Sequence, residues 1–242
     1  LSAAVAEIIL ALDVESADAG RRLLDQLPGL RWVKVGSVLM TREGATFIRE
    51  LRARGLQVFL DLKWHDIPNT VAGAVEAAAG LGVAMATVHT LGGPVMLRAA
   101  QAAARDRVGL VGVTVLTSHS AEEYQTTVGA RGASSGGSPE ASGALELEVG
   151  RLAGLAAAAG LRGVVCSPME IGVVKSRLPA GAWVVVPGIR RTGDPAGDQF
   201  RTATPREAAD RGATHLVVGR PILKAASPAR ALAELAAEAG SP

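Results

Sequence analysis

The chain has 242 residues, 48% of them apolar and 20% charged, enough apolar material for one large core, and residues 1–242 are expected to form a single domain. A formal net charge of +2 and an aromatic content of only 3%, with no basic tract interleaved with rings, exclude the stacking platforms and charged grooves of a nucleic-acid binder. Residues 1–12 are apolar but broken by Glu7 and shorter than the about 20 residues of a membrane helix, so they are expected to form a strand, in a cytoplasmic protein with no membrane partner.

Residues 7–13 form an apolar run ending in Asp13, followed by Ser16 as candidate N-cap of an amphipathic helix through Leu27. Residues 31–37 repeat the pattern with Lys34 inside the strand, and a helix over 42–54 follows. In the third unit Val58, Leu60 and Leu62 alternate with Phe59, Asp61 and Lys63, so a period of two puts Asp61 and Lys63 on one face of a strand. Asp66, Pro68 and Asn69 then supply turn and helix-start chemistry, with proline in a first helical turn where its missing N–H costs little, and a helix runs over 67–81. A fourth strand over 83–89 ends in His89, the turn Gly92-Gly93-Pro94 leads to a helix over 95–104, and a fifth strand over 108–116 ends in Thr117-Ser118. Residues 120–143, rich in glycine, serine and alanine, are expected to form a mobile surface loop. Helical spacing resumes over 145–159, then come a short strand over 163–166, a helix over 169–177 and a seventh strand over 183–186. Pro187-Gly188-Ile189-Arg190 opens a polar loop through Gln199, too long and glycine-rich for a plain connector. Thr204-Pro205-Arg206-Glu207 is a capping box, 215–218 the eighth strand, Gly219-Arg220-Pro221 a turn, and 226–239 the closing helix.

Eight short apolar strands alternate with eight helices and no second composition regime intervenes, which predicts an α/β fold, a single-domain (β/α)8 TIM barrel. In such barrels the chemistry sits at the carboxyl ends of the strands, so Asp13, Lys34, Asp61, Lys63, His89, Thr117, Arg190 and Arg220 form one ring. The single cysteine, Cys166, excludes an intramolecular disulfide, fits a reducing compartment, and is expected to be a small buried residue ending a strand.

An isolated D-x-K is most often an ion pair closing a sheet edge, but here Asp61, Lys63, His65 and Asp66 crowd together directly after an apolar strand. Burying such a group without a purpose costs several kcal/mol, which favours a functional site. Lys34, Asp61 and Lys63 bring two ammonium groups to one carboxylate, with Asp66 nearby as a second. A lysine held this way is a proton donor, whereas a Schiff-base lysine needs a depressed pKa. No H-E-x-x-H motif or Cys/His cluster offers a transition-metal site, so no metal is expected. His65 and His89 are expected to be separate supporting or core side chains, and His119 and His215 carry no signal. Gly188 with Arg190, and Gly219 with Arg220, follow strands seven and eight, where barrels commonly bind phosphate, implying a phosphorylated small molecule; the plainer alternative is two glycines serving tight turns.

The stretch Asp61-Leu62-Lys63-Trp64-His65-Asp66-Ile67-Pro68-Asn69-Thr70 closely resembles the signature of the orotidine 5′-phosphate decarboxylase family. Ala11-Leu12-Asp13, Val33-Lys34-Val35-Gly36, Leu116-Thr117-Ser118, Val165-Cys166-Ser167, Pro187-Gly188-Ile189-Arg190, Gly197-Asp198-Gln199 and Val218-Gly219-Arg220-Pro221 resemble further landmarks in the family's order. The resemblance implies a cofactor-free carbon-carbon lyase of de novo pyrimidine (UMP) biosynthesis, in which Lys34, Asp61, Lys63 and Asp66 form the catalytic array. Asp13 and Lys34 would hold the ribose, with Lys34 also bonding Asp61. Asp61 would face the substrate carboxylate, and Lys63 would protonate the carbon it leaves. Asp66, with Ile67 and Thr70, would reach the site of a neighbouring subunit in a homodimer with shared sites. Thr117, with Ser118 beside it, would contact the pyrimidine, Arg190, Gly219 and Arg220 would take the phosphate, and Gln199 would close over it. Two alternatives stand beside this reading: a Mg2+-dependent sugar-phosphate decarboxylase or aldolase with the same D-x-K-x-x-D core, and a silent barrel that only binds nucleotides. A pure binder gains nothing from carboxylates near an anionic ligand.

Overall fold

The computed structural model describes residues 5–128, 139–191 and 202–240. Its elements in chain order are β1 (Glu7–Ala11), α1 (Ala17–Leu24), β2 (Trp32–Gly36), α2 (Ser37–Ala53), β3 (Gln57–Trp64), α3 (Pro68–Gly80), β4 (Met85–His89), α4 (Gly93–Ala104) and β5 (Gly109–Val113). They continue with α5 (Ala121–Val128), α6 (Pro139–Ala158), β6 (Gly163–Val165), α7 (Ile171–Lys175), β7 (Trp183–Val186), α8 (Pro205–Arg211), β8 (His215–Val218), α9 (Arg220–Leu223) and α10 (Pro228–Glu238). The strands pair in sequence order, all parallel, and β8 returns to β1 with Glu7 beside His215 and Leu10 beside Val218, closing the barrel. The expected TIM barrel is therefore the observed fold.

Strand pleating divides the apolar residues between two cores. Ile9, Ala11, Trp32, Phe59, Met85, Val111, Val185 and Val217 fill the barrel interior. Their neighbours in sequence, including Ile8, Leu10, Val33, Val35, Val58, Leu60 and Val88, point outward and pack with Leu39, Phe47, Ile48, Leu51, Val71, Val75 and Leu97 of the surrounding helices. Each such side chain contributes about 1.5–3 kcal/mol on burial. Cys166 is fully buried, as expected of a structural residue. Among the described residues no helix is long and apolar enough to cross a membrane.

Most of the expected elements recur with ends moved by a few residues, and four differences stand out. Helix α2 begins at Ser37 rather than 42, because two helical pieces join across Gly44, whose φ of 64° and ψ of −160° make a kink. Part of the glycine- and serine-rich stretch is helical: Ser120 and Glu123 form a capping box that starts α5, and α6 begins at Pro139. Tyr124 buries its ring and donates its hydroxyl to Glu148 of α6 at 3.0 Å, so α5 is packed rather than loose. Residues 129–138 lie outside the described residues. Gly219-Arg220-Pro221 is the start of the short helix α9 rather than a turn. His65 and His89, expected to be separate, stack with ring centroids 5.4 Å apart and 23° between planes.

Candidate active site

Two cavities of similar size open at opposite ends of the barrel. The one at the amino-terminal end, about 750 Å3, gathers Arg52, Arg107, Arg162 and Trp183 with a single carboxylate, Asp106. The one at the carboxyl end, about 860 Å3, is lined by Asp13, Lys34, Asp61, Lys63, Thr117, Gly188, Arg190, Gly219 and Arg220 among others. Lysines and carboxylates in direct ion pairs line the second, at the end where barrels place their chemistry.

Its floor is apolar. Along β2 and β3, Trp32 and Phe59 fill the barrel interior, and two residues further on Lys34 and Asp61 rise from the same faces. Gly36 leaves room beside them, since a Cβ there would stand 3.3 Å from the Lys34 Nζ and press that ammonium aside by a few tenths of an ångström.

Four charged side chains, Lys63, Asp61, Lys34 and Asp13, form a continuous array. Lys63 Nζ lies 2.8 Å from Asp61 Oδ1, and Lys34 Nζ lies 3.7 Å from Asp61 Oδ2 and 3.2 Å from Asp13 Oδ1. Asp61 and Lys34 retain only 13% and 12% side-chain exposure, so their attraction is weakly screened by solvent. The meeting of Asp61 with Lys63 was expected from simple alternation, but the backbone achieves it differently. Lys63 has φ of 51°, and the β3–β4 register shifts between Leu60 and Trp64.

Asp66 does not join the array within this chain. Its Oδ1 accepts the Ile67 N–H at 2.6 Å and turns the chain toward Pro68, the first residue of α3. The expectation of Asp66 as a second carboxylate beside the two lysines is thus corrected for the single chain: Asp66 pairs with no cation among the described residues, for it lies past the strand end on the outer surface. Ile67 and Thr70 are exposed and outside the cavity wall, as is Ser118, whereas Thr117 lines it.

On the far side of the cavity, Gly188 has φ of 81°, a conformation that favours glycine, directly after β7. Gly219, with φ of −112°, needs no such freedom and serves as the N-cap of α9. Arg190 is buried and donates through Nη1 to the Ile189 carbonyl at 2.8 Å, while its backbone N–H bonds the Ala203 carbonyl at 3.0 Å. Gln199 lies outside the described residues.

His89 takes no place in the ring of cavity residues. Its Nδ1 accepts the Leu91 N–H at 3.3 Å, and burial, with His65 and Lys63 nearby, pushes its pKa down to about 4.

Sequence reasoning passed over two residues. Lys224 lines the cavity beyond Arg220. Thr87, fully buried on β4, stands 3.1 Å from Asp61 Oδ1. Its signal was available, since Met85, Thr87 and His89 share one strand face and only a polar residue with a partner is tolerated there.

Comparison with known proteins agrees with this geometry. The model of the family described as "Orotidine 5'-phosphate decarboxylase / HUMPS family" matches residues 6–235. A Halorhodospira halophila protein named orotidine 5′-phosphate decarboxylase is 50% identical over 235 residues, covering 96% of this chain and 94% of that protein. One of the same name from Pseudomonas syringae pv. syringae is 45% identical over 98% of this chain and 99% of its own length. The crystal structure of orotidine 5′-phosphate decarboxylase from Lactobacillus acidophilus superposes with a TM-score of 0.83 at 32% identity, covering 98% of this chain and 100% of that one. A match that spans the barrel from β1 to α10, together with a lysine–aspartate–lysine array at its carboxyl end, makes this chain a member of the orotidine 5′-phosphate decarboxylase / HUMPS family.

Proposed function

We propose that this chain converts orotidine 5′-phosphate to UMP and carbon dioxide without a metal or organic cofactor, the step that completes pyrimidine nucleotide synthesis. The observation that carries the reading is Asp61 held between Lys34 and Lys63 at the mouth of the barrel. Breaking the bond between C6 of the pyrimidine and its carboxylate leaves an electron pair in the ring plane, where no π system delocalises it. Fixed charge must replace the missing sink. The Lys63 ammonium complements the growing negative charge at C6 and then gives that carbon its proton. Asp61 faces the substrate carboxylate, which loses its charge as it departs, so both groups favour the transition state over the bound substrate.

Asp13 and Lys34 are assigned to the ribose hydroxyls, Thr117 with neighbouring Ser118 to the pyrimidine, and Arg190, Gly219 and Arg220 to the phosphate. Gln199 is assigned to the same phosphate from the opposite side. A guanidinium is suited to a phosphate because its N–H groups match two oxygens at once.

The reading includes a homodimer in which Asp66, Ile67 and Thr70 serve the neighbouring subunit's site. Exposed Val38, Ile67, Leu91 and Val95 support it, since they cluster at the carboxyl ends of the adjacent strands β2, β3 and β4. Apolar side chains gathered this way mark a surface that another protein covers.

Release of carbon dioxide from orotidine 5′-phosphate, measured with and without EDTA, tests the activity. Equal release in both supports the reading, loss on chelation favours a Mg2+-dependent relative's chemistry, and no release in either leaves a binding protein.

A further inference from the structure

Lys63 is a long side chain in a backbone conformation that suits glycine, with φ of 51°. Such a residue costs of order 1–3 kcal/mol unless its surroundings hold it there. Its surroundings are defined by the register of two strands. Leu60 pairs with Ala86 and Trp64 with Val88, so Asp61, Leu62 and Lys63 of β3 stand opposite the single residue Thr87 of β4. A regular ladder matches residues one to one, and this bulge disrupts the backbone pairing in between.

The Thr87 side chain takes up that role. Lys63 donates its backbone N–H to Thr87 Oγ1 at 2.8 Å, and the same oxygen lies 3.1 Å from Asp61 Oδ1. The direction of both bonds follows from valence. An amide N–H can only donate and an ionised carboxylate can only accept, so the hydroxyl accepts from Lys63 and gives its one proton to Asp61. With 0% exposure, Thr87 has no water to substitute for either bond.

We propose that Thr87 is a positioning residue of the decarboxylation: its hydroxyl pins the Lys63 backbone and the Asp61 carboxylate to one point on β4, and so sets where the Lys63 ammonium stands. The inference rests on the decarboxylase reading and adds to it. Asp61 Oδ1 is thereby held by two donors, Thr87 Oγ1 and Lys63 Nζ, while Oδ2 faces Lys34. Without the hydroxyl, the carboxylate is free to turn toward Lys34, and the Lys63 peptide loses the bond that anchors its bulge. Proton delivery to C6 depends on that ammonium being within hydrogen-bond reach of the carbon.

The substitution Thr87→Val keeps the shape and removes the hydroxyl. A displacement of the reacting groups by about 1 Å costs on the order of 100-fold in rate, so kcat is expected to fall by about 10- to 100-fold. KM for orotidine 5′-phosphate should stay within about threefold, because the groups assigned to the phosphate lie across the cavity and lose nothing in the ground state. Thr87→Ser, which restores an oxygen at the same position, should recover most of kcat. Amide hydrogen exchange reads the pin directly: the Lys63 N–H should lose protection in Thr87→Val and keep it in Thr87→Ser.

If Thr87→Val lowered the melting temperature but left kcat unchanged, the hydroxyl would only satisfy its own burial, and the proposal would be overturned. It would be overturned equally by a Thr87→Ser enzyme that folds, protects the Lys63 amide, and is as slow as Thr87→Val. If Thr87→Val does not fold, Thr87→Ser still decides, since a folded serine variant more than about tenfold slower than the parent contradicts the hydroxyl's role. A parent enzyme that releases no carbon dioxide, yet shows the expected exchange pattern, would refute the decarboxylase reading while leaving the Thr87 pin intact.

Discussion

Lys63 concentrates the chemistry of the proposed reaction in one side chain. Lys63→Ala removes both the cation that faces C6 and the proton that C6 receives, while Asp61 keeps Lys34 as a partner 3.7 Å away. The variant is expected to fold as the parent does and to lose decarboxylation by about 1000-fold or more, measured as kcat on purified protein. Near-normal turnover would refute the role. The pairing of Asp61 with Lys63 was legible in the sequence, but the reason read there was incomplete. Strict alternation brings two side chains to one face, whereas the observed contact depends on a bulge and a positive φ. Neither has a signature in residue type, because lysine rarely adopts that conformation. Thr87 stayed hidden for the same cause: its importance comes from a register shift between two strands, and register is a property of the folded pair.

At the scale of the element, the strand-to-helix junctions decide what the cavity can bind. Helix α9 begins at Arg220 directly after β8, and Gly188 follows β7, so both lie on one side of the cavity. Arg220→Ala is expected to raise KM and also to lower kcat, with kcat/KM falling about 10- to 100-fold, since a charge-assisted hydrogen bond is worth about 1.5–3 kcal/mol. The checking measurement compares the intact substrate with orotidine lacking its phosphate. Equal turnover of the two by the parent enzyme would contradict a phosphate role. Junctions were well predicted where a cap has its own residue code, as at Ser16 and at the Thr204–Glu207 capping box. The same code was present at Ser120 and Glu123 but was masked by the glycine- and serine-rich composition that follows, so α5 was taken for loop. Composition averages over a window, whereas a cap is fixed by two side chains.

The barrel as a whole was legible because its signal repeats eight times, and errors of two or three residues at each end leave the alternation intact. The proposed homodimer would extend the site beyond the single chain. In a dimer with shared sites, mixing Lys63→Ala with Asp66→Asn subunits gives heterodimers with one intact site and one doubly altered site. Random exchange makes about half the dimers mixed, so activity should recover to about one quarter of the parent's. Verified heterodimers no more active than the separate variants would confine Asp66 to its own barrel. A pH-dependent part of stability arises at the opposite end, where His215 packs against Trp32 and Trp183 with centroids 5.3 and 5.1 Å away. Burial, with Arg162 adding to it, pushes the His215 pKa from 6.5 down to about 4. The fold therefore holds the neutral ring. Its contribution is complete above pH 6.5 and is lost as pH falls toward about 4, an upper figure of roughly 3 kcal/mol. His215→Phe should flatten that part of the profile, seen as a smaller drop in urea midpoint between pH 7 and pH 4.5 than the parent shows; equal drops would refute it. The apolar plug of Phe59, Met85, Val111 and Val185 between the two ends has a further consequence. Among the described residues the plug closes the cavity's base and leaves it open at the carboxyl end. In the proposed reaction substrate and both products would then pass the same rim, so the small uncharged gas has to leave past a nucleotide whose phosphate is assigned to Arg190 and Arg220 there.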